Sequence, residues 1–313
     1  MVRPPRSGSR LLDKAHHVRY FTNMSKPILL DGAMGTYLQT MGLAPNTASD
    51  SWNLTHPEKI VEVHKAYAKA GSQILFTNTF GASRNRLAET GMADDIKKIN
   101  EAGVRFVRQA LEILSSPFHQ GGEILDSAPR IAGCIGPIGS LQKPFKSLST
   151  KQASALYEEQ ICLLLENKVD LIVIETLFDA AEIEVASEVA LKTIRKKIPL
   201  MISMTVGENG LLACGSDPVT TSYYLEKRGV DIIGLNCSFG PESIWPVFEK
   251  MRKEIKCSIA VKPNASVVTG RDLSLQAEKF ATWMKKFADT GADFIGGCCG
   301  TTPEHIAALT LLL

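Results

Sequence analysis

The chain has 313 residues, of which 44% are hydrophobic and 22% charged, with a formal net charge of +2. That length is enough for one large α/β domain, and the small net charge argues against nucleic acid or an anionic membrane surface as a partner. No apolar run reaches the ~18–20 residues of a spanning helix, and seven scattered cysteines, an odd number with no secretory segment, read as reduced thiols of a cytoplasmic protein, not as a disulfide framework.

In chain order, the first stretch stands apart. The segment before Met24 holds four Arg, one Lys and a single acid, with no apolar period. It reads as a basic, disordered tail over 1–25, as residues ahead of a true start at Met24, or as a targeting presequence. His16 and His17 belong to it and are given no metal role. From Lys26 onward short apolar, β-branched runs alternate with longer amphipathic stretches. The runs are Ile28–Leu30, Gln73–Phe76, Arg130–Cys134, Leu171–Ile174, Leu200–Met204, Asp231–Leu235, Ser258–Val261 and Asp293–Ile295. Their near-continuous apolar character suits strands of a parallel sheet buried on both faces. The first helical pattern, 57–71, puts Ile60, Val63, Tyr67 and Ala70 on one side, with Pro57 at the first helical position and Gly71 at the stop. Others follow at about 94–115, 150–168, 179–196, 218–229, 241–255, 274–290 and 303–312.

Strand followed by helix, eight times over, predicts a single-domain (β/α)8 TIM barrel over 26–313. A doubly wound open sheet is the alternative, but Gly32 and Gly35 do not make its G-x-G-x-x-G phosphate turn. Barrel enzymes build their sites from residues just past the C-terminal strand ends. Here those are Asp31, Thr77-Asn78-Thr79, Gly136-Pro137, Glu175-Thr176, Asn236-Cys237-Ser238, Pro263-Asn264-Ala265 and Gly296-Gly297-Cys298-Cys299-Gly300. Neighbouring side chains on a strand point to opposite faces, so adjacent cysteines can share a target only where the strand has ended. With Cys237 they could hold Zn²⁺ through three thiolates and leave its fourth position open, as in a catalytic zinc site. For the Cys298–Cys299 pair taken alone a packing or redox role is the plainer reading, but Cys237 at a nearby strand end favours the metal. Cys134, Cys162, Cys214 and Cys257 read as small apolar residues. Asp31 and Glu175 are either partners of a basic group or readers of a ligand in the cleft, and Asn264 is either a turn residue or a ligand contact. Thr302 and Pro303 read as a helix N-cap and first-turn proline.

At these residues the sequence resembles the homocysteine S-methyltransferase family, closest to the homocysteine-binding module of cobalamin-dependent methionine synthases. The matching stretches are LLDGAMGT (29–36), TNTFGA (77–82), GPIG (136–139), IET (174–176) with Asp179, GLNCSFGPE (234–242), PNAS (263–266) and GGCCGTTPEHI (296–306). The resemblance implies zinc on Cys237, Cys298 and Cys299. It implies a homocysteine amino group on Asp31 and Glu175, its carboxylate near the N–H groups of Gly32 and Ala33, and Asn264 close to the metal. It further implies methionine formation, part of amino-acid biosynthesis. One departure is Ser266, where the family often carries glycine. The cobalamin motif D-x-H-x-x-G does not occur in the chain. The methyl donor is therefore expected in trans, as methylcobalamin on a separate cobalamin- or folate-binding protein, or as a free molecule such as betaine or S-methylmethionine. A zinc- or homocysteine-binding module without turnover is the competing reading.

Overall fold

In this computed structural model, residues 26–115, 129–139, 148–265 and 275–313 are described. The tail expected over 1–25 and the departure at Ser266 lie outside them. The apolar runs form β1 Ile28–Leu29, β2 Ile74–Phe76, β3 Arg130–Ile135, β4 Leu171–Leu177, β5 Leu200–Met204, β6 Ile232–Cys237, β7 Ser258–Pro263 and β8 Phe294–Ile295. Each pairs in parallel with its neighbour in the order β1-β8-β7-β6-β5-β4-β3-β2. A parallel bridge between Leu30 and Ile74 joins the two ends. There the Gln73 N–H donates to the Leu29 carbonyl at 2.7 Å, and the Gln73 side-chain oxygen accepts from the Leu29 N–H at 2.9 Å. The result is the expected single-domain (β/α)8 TIM barrel.

The helices among the described residues are α1 Gly35–Thr40, α2 Trp52–Thr55, α3 Pro57–Lys69, α4 Arg84–Ala88, α5 Ile96–Ser115, α6 Thr150–Glu166, α7 Ala180–Ile194, α8 Pro218–Arg228, α9 Pro241–Glu254, α10 Ala277–Asp289 and α11 Pro303–Leu312. The eight long ones lie where the 3.6-residue period places them. Their ends have local causes: Pro57 opens α3, Gly71 just beyond it has φ 104°, and the Ser149 hydroxyl accepts from the Gln152 N–H to cap α6. The short α1, α2 and α4 carry too few turns for a period to show in the sequence.

Strand alternation sorts the core into two shells. One holds Ile28, Leu30, Ile74, Phe76, Ala132, Cys134, Leu171, Val173, Met201, Ile232, Ala260 and Phe294, drawn from all eight strands, and fills the barrel. The intervening residues, such as Ile172, Ile174, Ile233, Leu235, Ile259 and Val261, pack with the helices in the other. Continuing the inner parity reaches Glu175 on β4 and Lys262 on β7 in one step, and Asn236 on β6 in two, past Gly234. The strand pattern thus sets three polar side chains on top of the apolar filling. No helix among the described residues is long and apolar enough to cross a membrane.

Candidate metal and active site

The sulfurs of Cys237, Cys298 and Cys299 lie within 4.8 Å of one another, with Cys237 and Cys299 3.9 Å apart. Among the described residues this is the one group of three or more Cys, His, Asp or Glu side chains close enough to share an ion. Cys237 ends β6 with the parity that would point it away from the barrel interior. Its φ of 54°, followed by 59° at Ser238, breaks the alternation and turns the chain at the rim. The paired thiols sit in a turn tied down by its own backbone. The Cys298 N–H donates to the Pro263 carbonyl and the Cys299 carbonyl accepts from the Ala265 N–H, each at 2.9 Å. Thr301 closes the turn by donating its hydroxyl to the Cys298 carbonyl at 2.7 Å.

The glycines around the thiols do different jobs. Gly300 has φ 80° and lets the chain reverse. Gly296 and Gly297 are there because other atoms are too close: a Cβ on Gly296 would stand 2.7 Å from the Asp31 carbonyl oxygen, and one on Gly297 would overlap the Thr301 side chain. Gly32 is crowded in the same way, since a Cβ there would meet the Thr301 hydroxyl at 2.7 Å and the Tyr67 ring at 2.8 Å.

The thiols resist ionisation together. Cys237 is pulled down by Cys298 and pushed up by Cys299, and burial adds to the rise, leaving it at about 12. Cys299 is pulled down by Cys237 and pushed up by Cys298 and burial, also to about 12. Contact with Cys237 lifts Cys298 higher still. Three adjoining thiols that cannot all ionise unaided suit a dication, which removes their mutual repulsion and is softly bound by sulfur. No fourth ligand of these types joins the group among the described residues, so the donor set fits an open, three-thiolate site.

Beside the thiols lies an ion triad that sequence reading only half found. Asp31 and Glu175 do come together, but around Lys262. Its ammonium is 3.7 Å from Asp31 Oδ1 and 3.4 Å from Glu175 Oε2, and 3.4 Å above the centre of the Phe76 ring. Asp31, Glu175 and Lys262 are all buried, Lys262 being only 4% exposed. Asp31 Oδ2 accepts from the Phe76 N–H at 2.7 Å, whereas Oδ1 has no hydrogen-bond partner. Burial lifts the Asp31 carboxyl to about 7, against the downward pull of Lys262 and the Phe76 N–H. Charges at Glu175 and Asp31 hold Lys262 above its ordinary value even though burial opposes this. Cys134, an apolar filler by sequence, does pack in the inner shell, and its thiol also stands 3.5 Å from Glu175 Oε1.

Other expected residues are placed as follows. The Ala33 N–H, expected to face a carboxylate, donates to the Thr301 hydroxyl at 3.0 Å, and the Ala33 carbonyl accepts from Tyr67 at 2.7 Å. Asn264 donates to the Ser238 carbonyl at 2.8 Å and hydrogen-bonds toward the Cys237 thiol. Thr302 precedes α11 and contacts His305 Nδ1 at 2.9 Å through its hydroxyl. Asn236 was not singled out, yet it clamps two strand ends. It accepts from the Thr176 N–H at 2.9 Å, donates to the Thr176 hydroxyl at 2.8 Å, and stands 3.9 Å from Cys298 sulfur. Thr176 itself has φ 65°, at a register irregularity of β4 between Ile174 and Leu177. Such a bulge re-aims the side chains beside it.

Comparison with known proteins points the same way as this geometry. A family model described as homocysteine S-methyltransferase matches residues 28–313. The chain is 29% identical over 290 residues to a methionine synthase of Mycobacterium leprae, covering 88% of this chain and 23% of that protein. The corresponding values for a methionine synthase of Mycobacterium tuberculosis are 29%, 88% and 24%, so the chain spans under a quarter of either relative. Among solved structures, the homocysteine methyltransferase MmuM from Escherichia coli, metallated form, superposes with a TM-score of 0.76. The identity is 26%, with 92% of this chain and 96% of that one covered.

Proposed function

The chain belongs to the homocysteine S-methyltransferase family, and on that premise we propose that it methylates the sulfur of homocysteine to form methionine at a Zn²⁺ site made by Cys237, Cys298 and Cys299. The observation that carries this reading is the convergence of three thiols from two strand ends within 4.8 Å, without a fourth ligand among the described residues. When bound, zinc supplies the Lewis acidity that keeps a coordinated thiol ionised near neutral pH.

The protein's own groups position the substrate. Asp31 and Glu175 take the substrate ammonium, and the substrate carboxylate would rest near the Gly32 N–H, since the Ala33 N–H already donates to Thr301. Asn264 and Asn236 hold the backbone and sulfurs of the thiol cluster in register. The substrate sulfur, having lost its thiol proton, forms the new bond to the methyl carbon as the donor's bond to that carbon breaks. No protein base need act in that step, so the contribution of the side chains is orientation, which can supply much of a rate enhancement.

The donor defines a second reading. In it the chain acts as the homocysteine-activating part of a split methionine synthase, with methylcobalamin presented by another protein, a reading supported by its likeness to methionine synthases. Incubating the zinc-loaded protein with homocysteine and, in turn, methylcobalamin, S-methylmethionine and betaine tests both. Methionine formed with a free methylated amine or sulfonium donor favours the stand-alone enzyme. Methionine formed only with methylcobalamin favours the split enzyme. Homocysteine binding without turnover on any donor would leave a binding module.

A further inference from the structure

We propose that Lys262 is a positioning residue of the homocysteine site, one that keeps the Asp31 carboxylate free and charged so that it can accept the substrate ammonium. The inference rests on the reading above and gives a role to a group that the strand pattern places but the family match does not assign.

The geometry is unequal, and the inequality is informative. Lys262 donates to Glu175 Oε2 at 3.4 Å but stands 3.7 Å from Asp31 Oδ1, beyond a hydrogen bond. The Phe76 ring under its ammonium and the strand behind it fix where the charge sits. Glu175 is therefore already engaged, by Lys262 on one oxygen and by the Cys134 thiol at 3.5 Å from the other. Asp31 is held on one oxygen by the Phe76 N–H, and its second oxygen is a buried acceptor with no hydrogen bond, only the Lys262 ammonium at ion-pair distance. A buried acceptor left open is costly unless something fills it. The surroundings of that oxygen, anionic with a second carboxylate held by the same lysine, suit a small cation with N–H donors.

Charge counting gives the same answer. With Asp31 ionised, two carboxylates and one lysine leave the triad at −1, which one substrate ammonium neutralises while drawing the Asp31 proton off. Without Lys262, two carboxylates buried side by side could not both stay ionised, and one would keep a proton. Asp31, already lifted to about 7 by burial, is the one to take it. A protonated Asp31 would then present a hydroxyl to a cation instead of a charge. Lys262 thus acts on the substrate through Asp31.

The test is calorimetry on the zinc-loaded full chain with homocysteine and with 4-mercaptobutanoate, which has the thiol and carboxylate but no amine. Wild type should prefer homocysteine. Lys262→Met should lose roughly tenfold or more in homocysteine affinity and far less for the desamino thiol, with zinc content unchanged. Asp31→Asn should do the same. Asp31→Asn/Lys262→Met, which removes one charge of each sign and is the variant safest to fold, should be no worse than either single change, because the two side chains act as one unit. A preference for homocysteine that survives Lys262→Met, equal losses for both thiols, or losses that add in the double variant would each overturn the inference. A zinc-loaded wild type that binds neither thiol would overturn the functional reading, and this inference with it.

Discussion

At the scale of single residues, the rim shows small side chains chosen by their surroundings and charged ones held at a cost. Gly297 has no unusual φ, so its role is purely one of space. Gly297→Ala should push Thr301 away from the Cys298 carbonyl and destabilise the fold by ~1–3 kcal/mol, the usual penalty for overpacking. Urea unfolding at matched zinc would measure it, and an unchanged midpoint would mean that the turn relaxes freely. Asp31 shows the opposite kind of constraint. Its carboxyl is raised in the folded state, from the ordinary 3.8 to about 7, chiefly by burial. A carboxyl raised on folding favours the fold at low pH, and that advantage is lost as pH rises from about 4 through about 7. Asp31→Asn should therefore match wild-type stability near pH 4 and exceed it near pH 8 by ~1–4 kcal/mol in the absence of ligand. Denaturation curves across that range check the sign. A variant less stable than wild type at pH 8 would mean that the Asp31 charge is a net structural asset and not a cost carried for binding.

At the scale of elements, most of what places the site was legible and the finest part was not. The strands could be read because buried parallel strands leave β-branched runs that end abruptly in polar residues. The eight long helices left their period, their prolines and their caps. Asp217 is one such cap: its carboxylate accepts from the N–H groups of Val219 and Thr220 ahead of the first turn of α8. Burial opposes it more than any single contact, but the Thr220 hydroxyl and these N–H groups together hold its carboxyl below the usual range. Asp217→Ala should cost ~0.5–2 kcal/mol by thermal or urea unfolding, and the difference from wild type should shrink as pH falls and the carboxylate takes up its proton. Lys262 was hidden for a reason that can be named. The run Ser258–Val261 reads as a complete strand, and a lysine before Pro263 looks like the start of a loop. Only the two-residue alternation, carried past the apolar residues to Pro263, puts that lysine inside the barrel. The left-handed residues Thr176 and Cys237 were equally invisible. Neither is a glycine or an asparagine, so no residue type advertised the bend. It is the register of β4 and the pairing of Cys237 with Pro263 that expose it. Sequence could say that Asp31, Glu175 and three cysteines share a rim. It could not say that a buried lysine already stands between the carboxylates.

At the scale of the whole molecule, the question is whether the barrel depends on its metal. Small zinc domains often do, because the ion substitutes for a core they lack. This barrel has two apolar shells and a closed ring of strands, and the thiol turn is fastened without any ion. Cys298 and Cys299 are hydrogen-bonded to β7 and the residue just beyond Asn264, Gly300 donates to the Thr36 hydroxyl at 3.0 Å, and Thr301 ties to Ala33. The metal would then stabilise by linkage alone, adding to the folded state in proportion to the logarithm of its concentration over its dissociation constant. Removing zinc with a chelator should leave the far-ultraviolet dichroism intact and lower the melting temperature. The lowering is expected at roughly 2–4 °C per kcal/mol of binding free energy lost. Restoring zinc should reverse it. Cys298→Ala should sit at the metal-free melting temperature, hold little zinc by elemental analysis, and respond to neither chelator nor added metal. If the chelated protein instead loses its secondary structure, the barrel needs the ion to fold, and the hydrogen-bonded turn is a consequence of metal binding. If Cys298→Ala keeps a full equivalent of zinc, the metal is held elsewhere and the three thiols are a packing cluster.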